Sequence, residues 1–375
     1  MKITSNFDGG NILVRDIADP GDAHLEIRRD NNSDFFQWFY FRASGVRDTP
    51  LVLHIDNAGT SSYPPGWKDY RAVASYDREQ WFRVPTDYDG ERLTIRHTPD
   101  HDSVWYAYFA PYSHERHQDL VAACQTSPQC RHELLGATVD GRDLDLLVIG
   151  EPAPGKRVCW IVARQHPGET MAEWFMEGLL ERLLDDEDPV ARLLLTKAVF
   201  YCVPNMNPDG SFRGNLRTNA TGANLNREWL EPTRERSPEI YYVRKRMEQT
   251  GVDFCLDVHG DEALPYNFIA GPDGVASVTQ RVLDLQEEYE RLLMRSSPDF
   301  QLEYGYDAVA PGTANMTMCT TFIADRFGCL SMTLEQPFKD TADSPHELVG
   351  WSPERCRKLG RANLDALYGV LDRLR

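Results

Sequence analysis

The pattern of apolar and polar positions changes character near residue 110. Before it, short runs at 11–16, 34–43, 50–55, 72–76, 92–97 and 104–109 are separated by turn chemistry such as Asp8-Gly9-Gly10, Asp19-Pro20-Gly21, Pro64-Pro65-Gly66 and Asp89-Gly90. Several of these runs alternate apolar with polar residues, as strands with one buried face do. No long helical period occurs in this stretch, which predicts an all-β sandwich. After about residue 115, continuous apolar runs at 144–149, 158–163, 198–203, 254–258 and 330–334 alternate with amphipathic stretches at 171–184, 190–196, 238–250, 275–294 and 353–374. Apolar runs without strict alternation suit strands buried on both faces. Their interleaving with helices predicts an α/β fold, a mostly parallel mixed sheet with helices on both faces. Two domains are expected, a β-sandwich over 1–115 and an α/β domain over 116–375, with a soft boundary inside 111–120. No internal repeat or low-complexity segment interrupts either.

Composition narrows the partners. The 375 residues are 41% hydrophobic and 26% charged, an ordinary globular balance with enough chain for a large core. A formal charge of -18 argues against non-specific binding to nucleic acid or anionic membranes, since both need a basic surface. No apolar run approaches the roughly 20 residues of a membrane helix, and the first residues lack a signal-peptide core. The expected compartment is the cytoplasm. The eight cysteines are scattered singly without a CxxC, which fits reduced thiols better than a disulfide framework. Cys159, Cys202 and Cys255 lie in apolar runs and read as small core residues, and Cys124 and Cys130 read as unrelated thiols. A homo-oligomeric assembly stays open.

In open α/β sheets, ligands bind just beyond the carboxyl ends of the strands. Four apolar runs end on chemistry-bearing residues. The run 158–163 leads into Arg164-Gln165-His166-Pro167-Gly168-Glu169, 198–203 into Pro204-Asn205-Met206-Asn207-Pro208-Asp209-Gly210, 254–258 into His259-Gly260-Asp261-Glu262, and 330–334 into Glu335. His166 and Glu169, three apart across a Pro-Gly turn, put an imidazole and a carboxylate on one side of that turn. Catalytic zinc takes three protein ligands of this kind plus a water, and His259 can supply the third. A lone H-x-x-E pair is also what a surface histidine beside a helix N-terminus gives, where Glu169 would favour the dipole. His259 and Glu262 form a rival H-x-x-E pair. The first pairing is preferred because it accounts for His166 and His259 together. A carboxylate at Glu335 suits proton transfer from an activated water to a leaving amine. On this acidic chain, the segment 207–228 is a local exception, carrying Arg213, Asn215, Arg217, Asn219, Asn224, Asn226 and Arg227. Its guanidinium forks suit a carboxylate.

Together these residues resemble the zinc metallocarboxypeptidases, in detail the bacterial cytosolic-carboxypeptidase-like branch. The resemblance rests on His166-Pro167-Gly168-Glu169, Asn207-Pro208-Asp209-Gly210, Gly214-Asn215-Leu216-Arg217, Asn224-Leu225-Asn226-Arg227, Asp257-Val258-His259-Gly260 and Thr333-Leu334-Glu335, in that order over roughly 115–375. It implies an N-terminal β-sandwich before the catalytic domain and one zinc ion held by His166, Glu169 and His259. It implies that Glu335 is the general base and then acid, that Arg217 polarises the scissile carbonyl, and that Asn226 and Arg227 hold the free carboxylate of a peptide or protein C-terminus. The chain departs from the family in three places. Asn224 stands where an aspartate usually orients a zinc-bound histidine. Asn315 follows Gly312-Thr313-Ala314 where glutamate-removing members often carry a basic residue. No tyrosine lies within 311–335, and the spacing of Tyr306 fits the family's mobile tyrosine poorly, so that role is left unfilled. Two other functions compete: a zinc-dependent deacylase of N-acyl amino acids, and a non-catalytic binding module on the same fold.

Overall fold

The computed structural model describes residues 1–374. Ten strands span its first part: β1 (Lys2–Thr4), β2 (Leu13–Asp16), β3 (Ala23–Glu26), β4 (Tyr40–Ser44), β5 (Leu51–Ile55), β6 (Val73–Ser75), β7 (Phe82–Arg83), β8 (Thr86–Tyr88), β9 (Leu93–His97) and β10 (Ser103–Ala107). They form two five-stranded sheets, in the orders β1-β4-β10-β6-β7 and β2-β3-β5-β9-β8. Side chains alternate across a strand, so Leu51, Leu53 and Ile55 of β5 turn inward while Val52 and His54 are half-buried. The inward residues of both sheets join one core with Phe39, Phe41, Tyr106 and Tyr108.

The run 34–43 becomes a strand only in its second half. In its first half, side chains replace the ladder. The Phe36 N–H donates to Ser62 Oγ, and the buried Gln37 amide accepts from the Tyr63 N–H at 2.7 Å and donates to its C=O at 3.1 Å. Residues 36–39 are therefore buried without belonging to a strand.

The second part carries α1 (His114–Gln125), β11 (Cys130–Ala137), β12 (Asp143–Ile149), β13 (Arg157–Ala163), α2 (Met171–Leu183), α3 (Pro189–Lys197), β14 (Ala198–Val203), α4 (Pro208–Arg213), α5 (Pro238–Thr250), β15 (Phe254–Val258), β16 (Phe268–Ala270), α6 (Gln280–Ser296), α7 (Cys319–Phe327), β17 (Leu330–Glu335) and α8 (Pro353–Val370). The seven-stranded sheet has the order β11-β12-β14-β13-β15-β17-β16. Its four central strands are mutually parallel, and the flanking β12, β11 and β16 each pair antiparallel with the next strand toward the centre. Alternation along β13 serves both faces. Cys159, Ile161 and Ala163 pack with the core that includes α2, α6 and α8, whereas Trp160 and Val162 pack with α5 and α7. The predicted helix at 275–294 begins later, at Gln280, because Val275 and Val278 are taken up in a turn after Pro272. No helix among the described residues is long and apolar enough to cross a membrane. All eight cysteines are free.

The two parts share their packing. Tyr108 stacks on Phe338 with ring centroids 4.5 Å apart. Gly214 caps α4 at φ +71°, and a Cβ there would meet the carbonyl oxygens of Gly9 and Gly10 at 2.7 Å, so glycine is required by conformation and by the close approach of the two segments.

Candidate active site

Strands β13, β15 and β17 run parallel, so their carboxyl ends bring Arg164–Glu169, His259 and Glu335 to one edge of the sheet. Arg164 follows β13 directly, at φ +58°, a left-handed conformation uncommon for a side-chain-bearing residue. Its guanidinium holds the turn, donating to the Pro167 carbonyl at 2.9 Å, the Tyr112 carbonyl at 2.9 Å and Glu173 at 2.7 Å. This turn delivers His166 and Glu169.

The structure brings His166, Glu169 and His259 together, all buried, with one potential ligand atom from each lying within 4.8 Å of the others. Both imidazoles turn Nδ1 onto Glu169: His166 contacts Oε1 at 2.6 Å and His259 contacts Oε2 at 2.7 Å. The opposite ring nitrogens are also held. His166 Nε2 lies 3.1 Å from Asn224 Oδ1, and His259 Nε2 lies 2.9 Å from Asp257 Oδ2. Asp257 is in turn fixed by the Gln165 amide at 2.6 Å, and Trp229 Nε1 donates to Gln165 at 2.9 Å. Outer partners of this kind fix ring orientation and tautomer in metal sites.

The electrostatics fit a cation. Burial and the Arg217 guanidinium hold the His166 imidazole down at about 4, so it is a neutral donor. Burial also opposes charge on His259, but Asp257 and Glu169 together push it well above the usual value. Burial alone would raise Glu169, yet the two imidazoles outweigh it and hold the carboxyl below the usual range. An anionic carboxylate between two inward-facing Nδ1 atoms is the donor set that zinc prefers.

Around this cluster lie the remaining candidates. Burial drives Glu335 well above the ordinary carboxylate value, with Glu169, Asp261 and Glu262 adding to the effect against His259. Its Oε2 is buried with no hydrogen-bond partner among the described residues. Arg217 Nε is likewise buried and unpartnered. Asn226 is buried, with Oδ1 accepting from the Cys319 N–H at 2.8 Å and Nδ2 lying 3.4 Å from His259 Nε2. Arg227 is exposed, and its Nη1 donates to the Asn226 carbonyl at 2.6 Å. Asn315 serves its own loop, its Oδ1 accepting from the Thr317 N–H and hydroxyl at 3.1 and 2.7 Å.

Two features differ from the sequence reading. Tyr306, set aside on spacing, reaches the site: its hydroxyl donates to Asp261 Oδ2 at 2.7 Å and lies 3.2 Å from Glu335 Oε1. Linear spacing misled because the loop between α6 and α7 folds back, packing Tyr306 edge-on against Phe268 of β16. Asp257, beside the predicted ligand His259, proves to be the partner that holds it. Its position two residues before His259 on a strand puts both on one face, a signal available from sequence alone. Glu262, the rival ligand, is buried but lies outside the His/Glu/His cluster, and its carboxyl is raised to about 8 by burial and by Glu169.

Residues 3–109 match the model of the cytosolic carboxypeptidase N-terminal domain, and residues 117–267 match the zinc carboxypeptidase model. A metallo-carboxypeptidase from Burkholderia cenocepacia superposes with a TM-score of 0.97 at 49% identity, covering 100% of both chains. A metallo-carboxypeptidase from Pseudomonas aeruginosa, solved with (2-guanidinoethylmercapto)succinic acid, gives 0.98 at 45% identity, again over 100% of both chains. Mouse cytosolic carboxypeptidase 6 is 29% identical over 82% of this chain, which spans 62% of the mouse protein. By its folds, its paired family matches and its full-length structural relatives, this chain belongs to the zinc carboxypeptidase family and is a metallocarboxypeptidase with an N-terminal region of the cytosolic carboxypeptidase type.

Proposed function

We propose that this protein is a cytoplasmic exopeptidase that removes residues from the free C-terminus of peptides or proteins, with His166, Glu169 and His259 holding one zinc ion. The observation that carries this reading is the pair of imidazole Nδ1 atoms at 2.6 and 2.7 Å from the two oxygens of one buried carboxylate. Bound there, zinc would acidify a water and polarise a carbonyl. The proposal also takes the chain as two domains, 1–115 and 116–375.

The protein's own groups divide the remaining work. Glu335 accepts the proton of the attacking water and returns it to the departing amine nitrogen. Its burial and unpartnered Oε2 support the role, because a carboxylate with a raised pKa is a stronger base. Arg217 steadies the oxygen that gains charge as the carbonyl becomes tetrahedral, through a guanidinium whose Nε is already desolvated. Tyr306 donates to Asp261 and sets its hydroxyl beside Glu335. Asn226 and Arg227 hold the terminal carboxylate and set the register of the cut. Two carboxyl groups on the compound bound by the Pseudomonas relative are compatible with such an anion site.

The test compares peptides with a free C-terminal carboxylate, the same peptides amidated, and N-acyl amino acids. Release of the last residue from free peptides and at least about tenfold slower cleavage of the amides support the reading. Preferential hydrolysis of N-acyl amino acids would replace it with deacylation.

A further inference from the structure

The N-terminal part reaches the loop that carries Arg217 through Asp30. This residue is 3% exposed and belongs to no sheet ladder. Its Oδ1 accepts from the Leu216 N–H at 2.6 Å, and its Oδ2 accepts from the Arg217 N–H at 2.8 Å, the Thr218 N–H at 2.9 Å and the Thr218 hydroxyl at 3.1 Å. Three successive backbone N–H groups on one carboxylate form an anion nest, here filled by another part of the chain. The neighbouring asparagines extend the clasp. Asn31 donates to the Ala220 carbonyl at 2.5 Å and accepts from Asn215 at 2.7 Å.

The same region holds the Arg217 side chain. Its guanidinium lies 5.5 Å from the ring centres of Phe35 and Tyr63. Tyr63 is fixed by the Gln37 amide on both its backbone groups. The Asp30 N–H donates to the Phe35 carbonyl at 2.8 Å, so the anion that grips the Arg217 backbone and one ring beside its side chain share a single loop. Arg217 thus sits in a loop of the α/β part, but its backbone and head group are set by the N-terminal part.

We infer that Asp30 is a positioning residue for catalysis: it fixes the Arg217 loop so that the guanidinium, flanked by Phe35 and Tyr63, meets the carbonyl oxygen of the substrate. The inference rests on the carbonyl-polarising role proposed for Arg217. Asp30→Asn is nearly isosteric but turns an NH2 toward backbone donors, so it loosens the nest without opening a cavity. Turnover of a C-terminally free peptide is measured for wild type, D30N, R217K and the double variant, together with bound zinc and melting temperature.

D30N should lower kcat about tenfold or more with KM within about twofold and zinc stoichiometry unchanged. On the R217K background it should change kcat by less than about twofold, because the two residues act as one unit. Phe35→Leu leaves the nest intact and covers the case that D30N does not fold. It should lower kcat about threefold in wild type and leave R217K unchanged. If R217K is slow but D30N or F35L reduces both backgrounds by the same factor, the positioning role is wrong while the proposed chemistry stands. An unchanged kcat in D30N with only a lower melting temperature also overturns it. If R217K turns over like wild type, the role of Arg217 itself fails.

Discussion

The two histidines of the cluster are held unequally, and the difference predicts a change in metal affinity. His259 Nε2 faces the carboxylate of Asp257 at 2.9 Å, whereas His166 Nε2 faces only the amide oxygen of Asn224 at 3.1 Å. Asn224→Asp would give His166 the same kind of partner. The Asn224 oxygen also accepts from the Asn226 N–H at 3.1 Å, and a carboxylate keeps that bond, so the local turn should survive. The hydrogen bond, the ring and a metal–nitrogen bond of about 2.0 Å put the new charge about 7 Å from the ion. At an effective dielectric of about 20, a carboxylate and a divalent cation at that distance attract by about 5 kcal/mol. Desolvating another carboxylate near Glu169 offsets much of this. A net gain of about 1.4 kcal/mol, or tenfold, lies at the low end for outer partners of metal-bound histidines. Competition against a chromophoric chelator at fixed pH measures it directly, without reference to turnover. Zinc bound equally or more weakly by N224D would refute the account of how His166 is oriented.

Two further outcomes follow. Glu335→Gln keeps the shape of the side chain but removes the base, so turnover should fall by at least about 10²-fold while bound zinc, measured by elemental analysis, stays at the wild-type level. Away from the site, His117 is buried between Glu173 at 2.6 Å and Asp145 at 3.0 Å. Burial disfavours its charge, but the two carboxylates outweigh it and raise the imidazole to about 9. A folded-state value above the unfolded one near 6.5 means full stabilisation below pH 6.5, lost as pH rises toward 9. Over that window the stability of wild type relative to His117→Gln, read from urea unfolding, should fall by up to about 1.4 kcal/mol per pH unit. A constant difference would show that His117 is neutral in the folded protein.

Most of the α/β core was legible because strands buried on both faces write continuous apolar runs. The five runs at 144–149, 158–163, 198–203, 254–258 and 330–334 correspond to β12, β13, β14, β15 and β17. The edge strand β11 escaped notice because its residues are half-buried or exposed and carry Arg131, His132 and Glu133. Short pieces such as β3, β7 and β16 were lost for want of length, and α7 because its residues Cys319-Thr320-Thr321 are poor helix formers. The cluster of His166, Glu169 and His259 could be anticipated from residue type and strand-end position alone. Its supports could not. Asp30 and Tyr63 lie more than 100 residues from the histidines, and Tyr306 arrives by a loop that folds back. Such contacts depend on tertiary packing that no local period encodes.

The account depends on one ion held by three side chains, and metal stoichiometry tests this most directly. Elemental analysis of the purified protein, of His259→Ala and of Glu169→Gln, each after equilibration with equimolar zinc and gel filtration, should find about one zinc per wild-type chain and little in either variant. Retention of zinc at the wild-type level in both variants, or no zinc in the wild-type protein, would contradict it.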